Sequence, residues 1–273
     1  MRIEKAMLVF RKDWREIRRN WQVILPILIM PLIISVFLPV ILTAIPSLTT
    51  QETPVSGFES LIQNLPIHVQ EQIAGMTETQ VMIYIMALYF FAPFFLIIPL
   101  MASSVIASDS FAGEKERKTI EALLATPISD SELFLGKTLV SFILSMAVTI
   151  TSFAIYSTLF DLLSFSLFNG VLLLPTLDWI LLIFALAPTV ALASIGLTVM
   201  ISAKVKGFKE AQQISVILLI PILALVFGQL TGAIIFGPLM ITALIAVFAA
   251  IDLAIFRIGV NLFKREEILS KLA

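Results

Sequence analysis

The chain has 273 residues, of which 59% are hydrophobic and 14% charged, with a mean hydropathy of +1.03. Soluble domains run about 45–50% apolar and about 25% charged, so this composition excludes a soluble globular protein and implies one that lives in a bilayer. Eighteen Lys and Arg against 19 Asp and Glu give a net charge of −1, with no basic excess to bind nucleic acid, and the absence of Cys excludes disulfides and Cys-ligated metals.

The first 21 residues place Ile3, Met7, Phe10, Trp14, Ile17 and Trp21 at spacings of four and three, which is one face of a helix. Arg2, Lys5, Arg11, Lys12, Arg15, Arg18 and Arg19 take the remaining positions. Such an entry (elbow) helix is expected to lie in the headgroup plane with its apolar face toward the lipid. The segment and the apolar run after it are both too long for a signal peptide.

Bilayer-spanning helices need about 20 consecutive apolar residues. Six segments qualify, 23–46, 81–108, 138–160, 179–202, 212–228 and 238–256, and Asp252 is the one formally charged residue they contain. The fifth is the least sharply bounded: Gly228, Gln229, Gly232, Gly237 and Pro238 interrupt an uncharged run where a re-entrant element would also fit. Prolines recur inside the spans, at 26, 31, 39, 93, 99, 188 and 221. Each removes a backbone hydrogen bond, with hinging or mere packing as the result.

Orientation follows from Lys and Arg, which concentrate on the cytoplasmic side. All 18 fall in residues 1–22, 109–137, 203–211 and 257–273, whereas 47–80, 161–178 and 229–237 hold none and carry six acidic residues. An even number of spans with both termini cytoplasmic is expected, in the plasma membrane. The outer segment 47–80 has Phe58, Leu61, Ile62 and Leu65 at helical spacing, which predicts a short surface helix. His68, the only histidine, stands without a metal-ligand pattern, so neither a metal nor a cofactor is expected.

The longest cytoplasmic loop, 109–137, holds Asp109, Glu114, Lys115, Glu116, Arg117, Lys118 and Glu121, with Glu114 to Lys118 upstream of Ile120, Leu123, Leu124 and Ile128 at helical spacing. This reads as a short amphipathic helix stopped by Pro127, followed by a capping box in which Ser129 precedes Glu132 by three and starts the next helix. A solvated connector is the plain alternative. Gly136, Lys137 and Thr138 mimic the end of a phosphate-binding loop, but Ser131 stands where the first Gly belongs and no strand precedes it. Nothing else offers a nucleotide site, so any ATP dependence belongs to another subunit.

Asp109, the run GEKERKTIEALLATPIS and the pair Gly136-Lys137 resemble the cytoplasmic signature of the type-2 ABC transporter permeases, with Thr119, Ile120, Glu121, Leu123, Leu124 and Pro127 at the matching positions. The second cytoplasmic loop VKGFKEAQQ and the closing LFKREEIL are similar to those of sodium- and drug-exporting members. Many members carry Gly where Lys118 stands, and since Lys is a good helix former this departure is expected to cost nothing structurally.

The resemblance implies an all-α membrane protein, a single permease domain over 1–273, that forms a homodimer or a paired permease and is driven by separate ABC ATPase subunits. It further implies alternating access, with Glu114, Glu116, Arg117, Thr119, Ile120, Glu121, Leu123, Leu124 and Pro127 coupling the loop to the ATPase. An intramembrane enzyme is the alternative from another class, but it needs clustered acid and base groups, and the spans offer one Asp and no His. A channel or scaffold independent of ATP is the other, against which the lack of charged rings counts.

Overall fold

A computed structural model describes residues 3–48, 67–119, 126–230 and 237–262. Among these residues there is no strand, and six helices are long and apolar enough to cross a bilayer: Trp21–Ala44, Glu78–Glu116, Ser131–Ser164, Leu177–Lys204, Phe208–Gln229 and Pro238–Ile255. They are called spans one to six here. The all-helical class and the count of six agree with the composition and the apolar runs.

The entry helix, Ile3–Ile17, is distinct from span one. Asn20 separates them by capping span one, its side chain accepting from the Gln22 amide at 3.1 Å. Two further starts use capping boxes, in which a hydroxyl and an amide or carboxylate satisfy orphan backbone donors reciprocally. Thr77 with Gln80 opens span two, and Ser129 with Glu132 opens span three, as the spacing of that pair predicts.

The spans are not regular helices: apart from the π-helical segment Asp109–Gly113 near the end of span two, their irregular segments each contain the residue four before a proline. The π-helical segments Ile33–Phe37, Met86–Phe90 and Leu182–Leu186 and the 3-10 segment Val216–Leu218 contain Ser35, Tyr89, Phe184 and Ile217. These are the residues four before Pro39, Pro93, Pro188 and Pro221. A proline lacks the N–H that would bond that carbonyl and its ring collides with it, so the preceding turn must widen or tighten.

In span two the freed carbonyls are taken up by other spans. The Tyr156 hydroxyl donates to the Ala87 carbonyl at 3.0 Å, Trp179 Nε1 to Leu88 at 2.9 Å and Gln229 Nε2 to Tyr89 at 3.0 Å. Spans three, four and five thus each hold one of three consecutive carbonyls of the widened turn. Around it packs an aromatic core in which the Trp179 ring meets Phe95 edge-on at 4.8 Å and stacks with Tyr156 at 5.3 Å. Unsatisfied carbonyls in the bilayer cost several kcal/mol each, so this clamp fixes the bundle as well as the turn.

A seven-residue helix, Ile67–Ile73, precedes span two. The expected helix around Phe58 to Leu65 lies outside the described residues, as does most of the stretch 229–237 where a re-entrant element was the alternative. The loop between spans three and four is closed by Asp161, which accepts from the Leu173 and Leu174 amides at 3.0 and 3.2 Å.

Candidate coupling site

The entry helix shows three faces rather than two. Ala6, Val9, Asp13 and Ile17 are buried, chiefly against span three, while Ile3, Met7 and Leu8 remain exposed. The packing stripe is therefore rotated relative to the apolar stripe Ile3–Met7–Phe10–Trp14, of which Phe10 and Trp14 pack partly against the bundle while Ile3 and Met7 stay exposed. Gly136 makes the close crossing with span three: a Cβ there would sit 2.6 Å from the Ala6 carbonyl oxygen and 2.7 Å from Val9 Cβ.

The next residue, Lys137, is 1% exposed. Its ammonium donates to Asp13 Oδ2 at 3.1 Å and to the Ser110 carbonyl at 2.7 Å, and it meets Glu114 Oε2 at 2.8 Å as an ion contact. The Phe111 ring lies below it, 5.6 Å from the centroid. An ammonium has three protons to place, and here it has three oxygen partners. Burying such a charge is tolerable only when counter-charges and hydrogen bonds surround it, here two carboxylates and two hydrogen bonds. The Gly-Lys pair that imitates a phosphate loop is thus a packing glycine and a buried counter-ion.

Glu114, also 1% exposed, bonds Lys12 through its other oxygen. Lys12 further meets Asp13 Oδ1 at 3.3 Å and Glu16 Oε2 at 3.1 Å. Burial alone would lower the Lys12 pKa, but Asp13, Glu114 and Glu16 outweigh it and hold the ammonium well above its ordinary value. The carboxylates of Asp13, Glu16 and Glu114 come within 4.8 Å of one another, a spacing that suits a divalent cation, yet Lys12, Lys137 and Arg117 already pair with them.

The residues after Glu114 reach other elements in turn. Lys115 Nζ donates to the Val205 carbonyl at 3.0 Å, and Glu116 Oε2 accepts from the Phe208 amide at 2.9 Å at the start of span five. That carboxylate sits where the helix presents its free N–H groups and positive dipole end. Gly207 permits the approach, since a Cβ there would lie 2.5 Å from Glu116 Oε2. Arg117 bonds Glu16 at 3.0 Å and Asp109 at 2.8 Å, and Asn20 Nδ2 donates to the same Asp109 oxygen at 3.2 Å. Burial opposes the Arg117 charge, but Asp109, Glu16 and Glu114 raise its pKa all the same. Four consecutive residues therefore tie the loop to the entry helix, span three and the loop before span five.

Of the residues singled out from the sequence, Glu114 faces inward rather than outward, and Glu116 and Arg117 are exposed but committed within the chain. The Thr119 hydroxyl donates to the Glu114 carbonyl at 3.3 Å, and the Pro127 carbonyl accepts from Lys5 Nζ. Ile120, Glu121, Leu123 and Leu124 lie outside the described residues. Lys118 has a φ of 59°, so the position is left-handed rather than helical. The expectation that Lys costs nothing there as a helix former is corrected: glycine is the residue this backbone favours.

Asp13 was not singled out from the sequence, and Lys137 drew notice only through the Gly136-Lys137 pair, not as a buried counter-ion. The signal available was a lone carboxylate, Asp13, on the stripe Ala6–Val9–Asp13–Ile17, spaced three and four apart. Its partner lies 124 positions away, which no local pattern reveals.

Beside the network an open hollow of about 640 Å³ is lined by Lys12, Arg15, Glu16, Arg19, Asn20 and Arg117. Lys12, Glu16 and Arg117 belong to the network, so Arg15 and Arg19 are the cations this hollow offers to acidic groups.

Six apolar helices bundled around an aromatic core, with their connecting loops locked to an entry helix by buried charge, define a multi-pass membrane protein. Residues 7–243 match the family model described as ABC-2 family transporter protein, and the chain belongs to that family. It is a membrane transport subunit of an ABC transporter. No curated protein and no solved structure shows a significant match to it.

Proposed function

We propose that the chain is the permease of an ATP-driven exporter, a single domain over 1–273 that pairs with a second permease and works by alternating access in the plasma membrane, termini inside. A separate ABC ATPase docks on the loop around Ile120, Leu123 and Leu124. The observation that carries this reading is the set of bonds that the four residues 114–117 make to other elements. The residues just before the docking segment are joined to the entry helix, span three and span five, so a displacement of the loop is delivered to three elements at once. The hollow at Arg15 and Arg19 supplies the complementary charge that orients an acidic partner surface.

Span one presents Leu25, Leu28, Ile29, Leu32, Ile33 and Phe37 outward, an apolar stripe suited to lipid and to a second copy. The alternative of a channel or scaffold independent of ATP finds no support in a loop this firmly geared to the spans.

The test is co-purification. Leu124→Asp should abolish capture of the cognate ATPase while leaving the permease folded by size-exclusion profile. Undiminished capture would remove the docking role.

A further inference from the structure

Spans three, four and six enclose a cleft of about 250 Å³ in which Thr138 and Asp252 are the polar side chains. Its inner wall is Ile195 and Val199, 1% and 4% exposed, and its outer edge is Leu192 and Leu253, 39% and 65% exposed, so it opens sideways from the bundle. Gly196 closes one side, since a Cβ there would lie 2.3 Å from Ile255 Cγ2 and force spans four and six apart.

Both polar groups are unsatisfied. Along span three the buried hydroxyls of Ser141, Ser145, Thr149 and Ser152 each donate to a carbonyl one turn back. Thr138 Oγ1 is buried and does not, and among the described residues Asp252 Oδ1 is buried without a hydrogen-bond partner. Lys137, the residue beside Thr138, is committed to Asp13 and Glu114 and is no counter-ion for Asp252. A carboxylate held in an apolar cleft without a partner among the described residues is complementary to a cation brought from outside.

Two features choose among cations. A bare metal ion needs about six oxygen ligands, and this cleft presents two side chains that carry oxygen. The volume equals roughly eight waters, enough for a small charged head and the first carbons of a chain whose remainder stays in lipid. We propose that the cleft binds the cationic head of a single-chain amphiphile entering from the cytoplasmic leaflet, with Asp252 as its counter-charge and Thr138 as a hydrogen-bond partner. This rests on the export reading and deepens it by naming a substrate class.

The test is photolabelling of the purified permease in phosphatidylcholine nanodiscs, without ATPase or transport, so its failure and failure of the docking test are separate results. The probe is dodecylamine with a diazirine in its chain, and the control is the matching alcohol. The amine should label the peptides holding Leu192 and Leu253 about tenfold more than the alcohol does. Asp252→Asn should bring it down to the alcohol level with alcohol labelling unchanged, and Asp252→Glu should keep the preference. Equal labelling by both probes would mean a groove for lipid tails only, and no labelling by either would mean a cleft covered by a second copy. Either result overturns the proposal, as does an amine preference that survives Asp252→Asn.

Discussion

Lys137 and Glu114, each 1% exposed, stand 2.8 Å apart although one begins span three and the other ends span two. Asp13 of the entry helix completes the group from 124 residues away. Lys137→Met leaves two buried carboxylates short of a counter-ion and should cost about 3–5 kcal/mol, the usual penalty for breaking a buried pair. Adding Asp13→Leu should recover part of the loss, because the apolar replacement no longer needs a charge. Thermal unfolding followed by fluorescence size exclusion reads both. A melting temperature unchanged by Lys137→Met would show that the group contributes nothing to folding.

The left-handed backbone at Lys118 makes a prediction of opposite sign. A non-glycine residue there costs roughly 1–2 kcal/mol, so Lys118→Gly should raise the melting temperature and Lys118→Val should lower it. A fall with glycine would mean that the turn is not strained.

Much of the architecture is legible in the sequence, for reasons that can be named residue by residue. Spans announce themselves because a bilayer tolerates only long apolar runs, and the Ser129–Glu132 capping box is legible because its two partners are three residues apart. Glu114 and Lys137 were not legible as a pair: a charged run such as GEKERK looks solvated whether its members face water or one another. Nor does Gly136 declare itself as a contact point, since what it admits is the Ala6 carbonyl of a distant helix. The irregular turns stand between these cases. Prolines at 39, 93, 188 and 221 mark where a helix must deform, but that Tyr156, Trp179 and Gln229 satisfy the turn before Pro93 depends on packing.

That clamp gives a third prediction. Trp179→Phe keeps the ring and removes the donor to the Leu88 carbonyl, leaving it unpaired in the aromatic core. A loss of about 1–3 kcal/mol is expected, and Gln229→Leu should behave alike at Tyr89. Stability equal to that of the parent would indicate that the widened turn satisfies its carbonyls in another way.

The cationic hollow predicts rates rather than stability. Arg15 on the entry helix and Arg19 just after it are exposed beside the loop, so reversing both to Glu should slow ATPase association and flatten its salt dependence while leaving the permease fold intact. Surface plasmon resonance across a salt series measures this. An association rate that stays salt-dependent at the parental level would assign the hollow to something other than the ATPase.

The most direct test uses the fact that the chain has no cysteine. Leu172, 65% exposed in the loop between spans three and four, can be made the sole thiol and its reaction with an impermeant maleimide followed in the complex with the ATPase. ATP should change the labelling rate in the parent, because loop movement reaches span three through Glu114 and Lys137. With Glu114→Gln, the ATPase should still bind and hydrolyse ATP while the labelling rate no longer responds. A response to ATP that persists in Glu114→Gln would contradict transmission through the buried network.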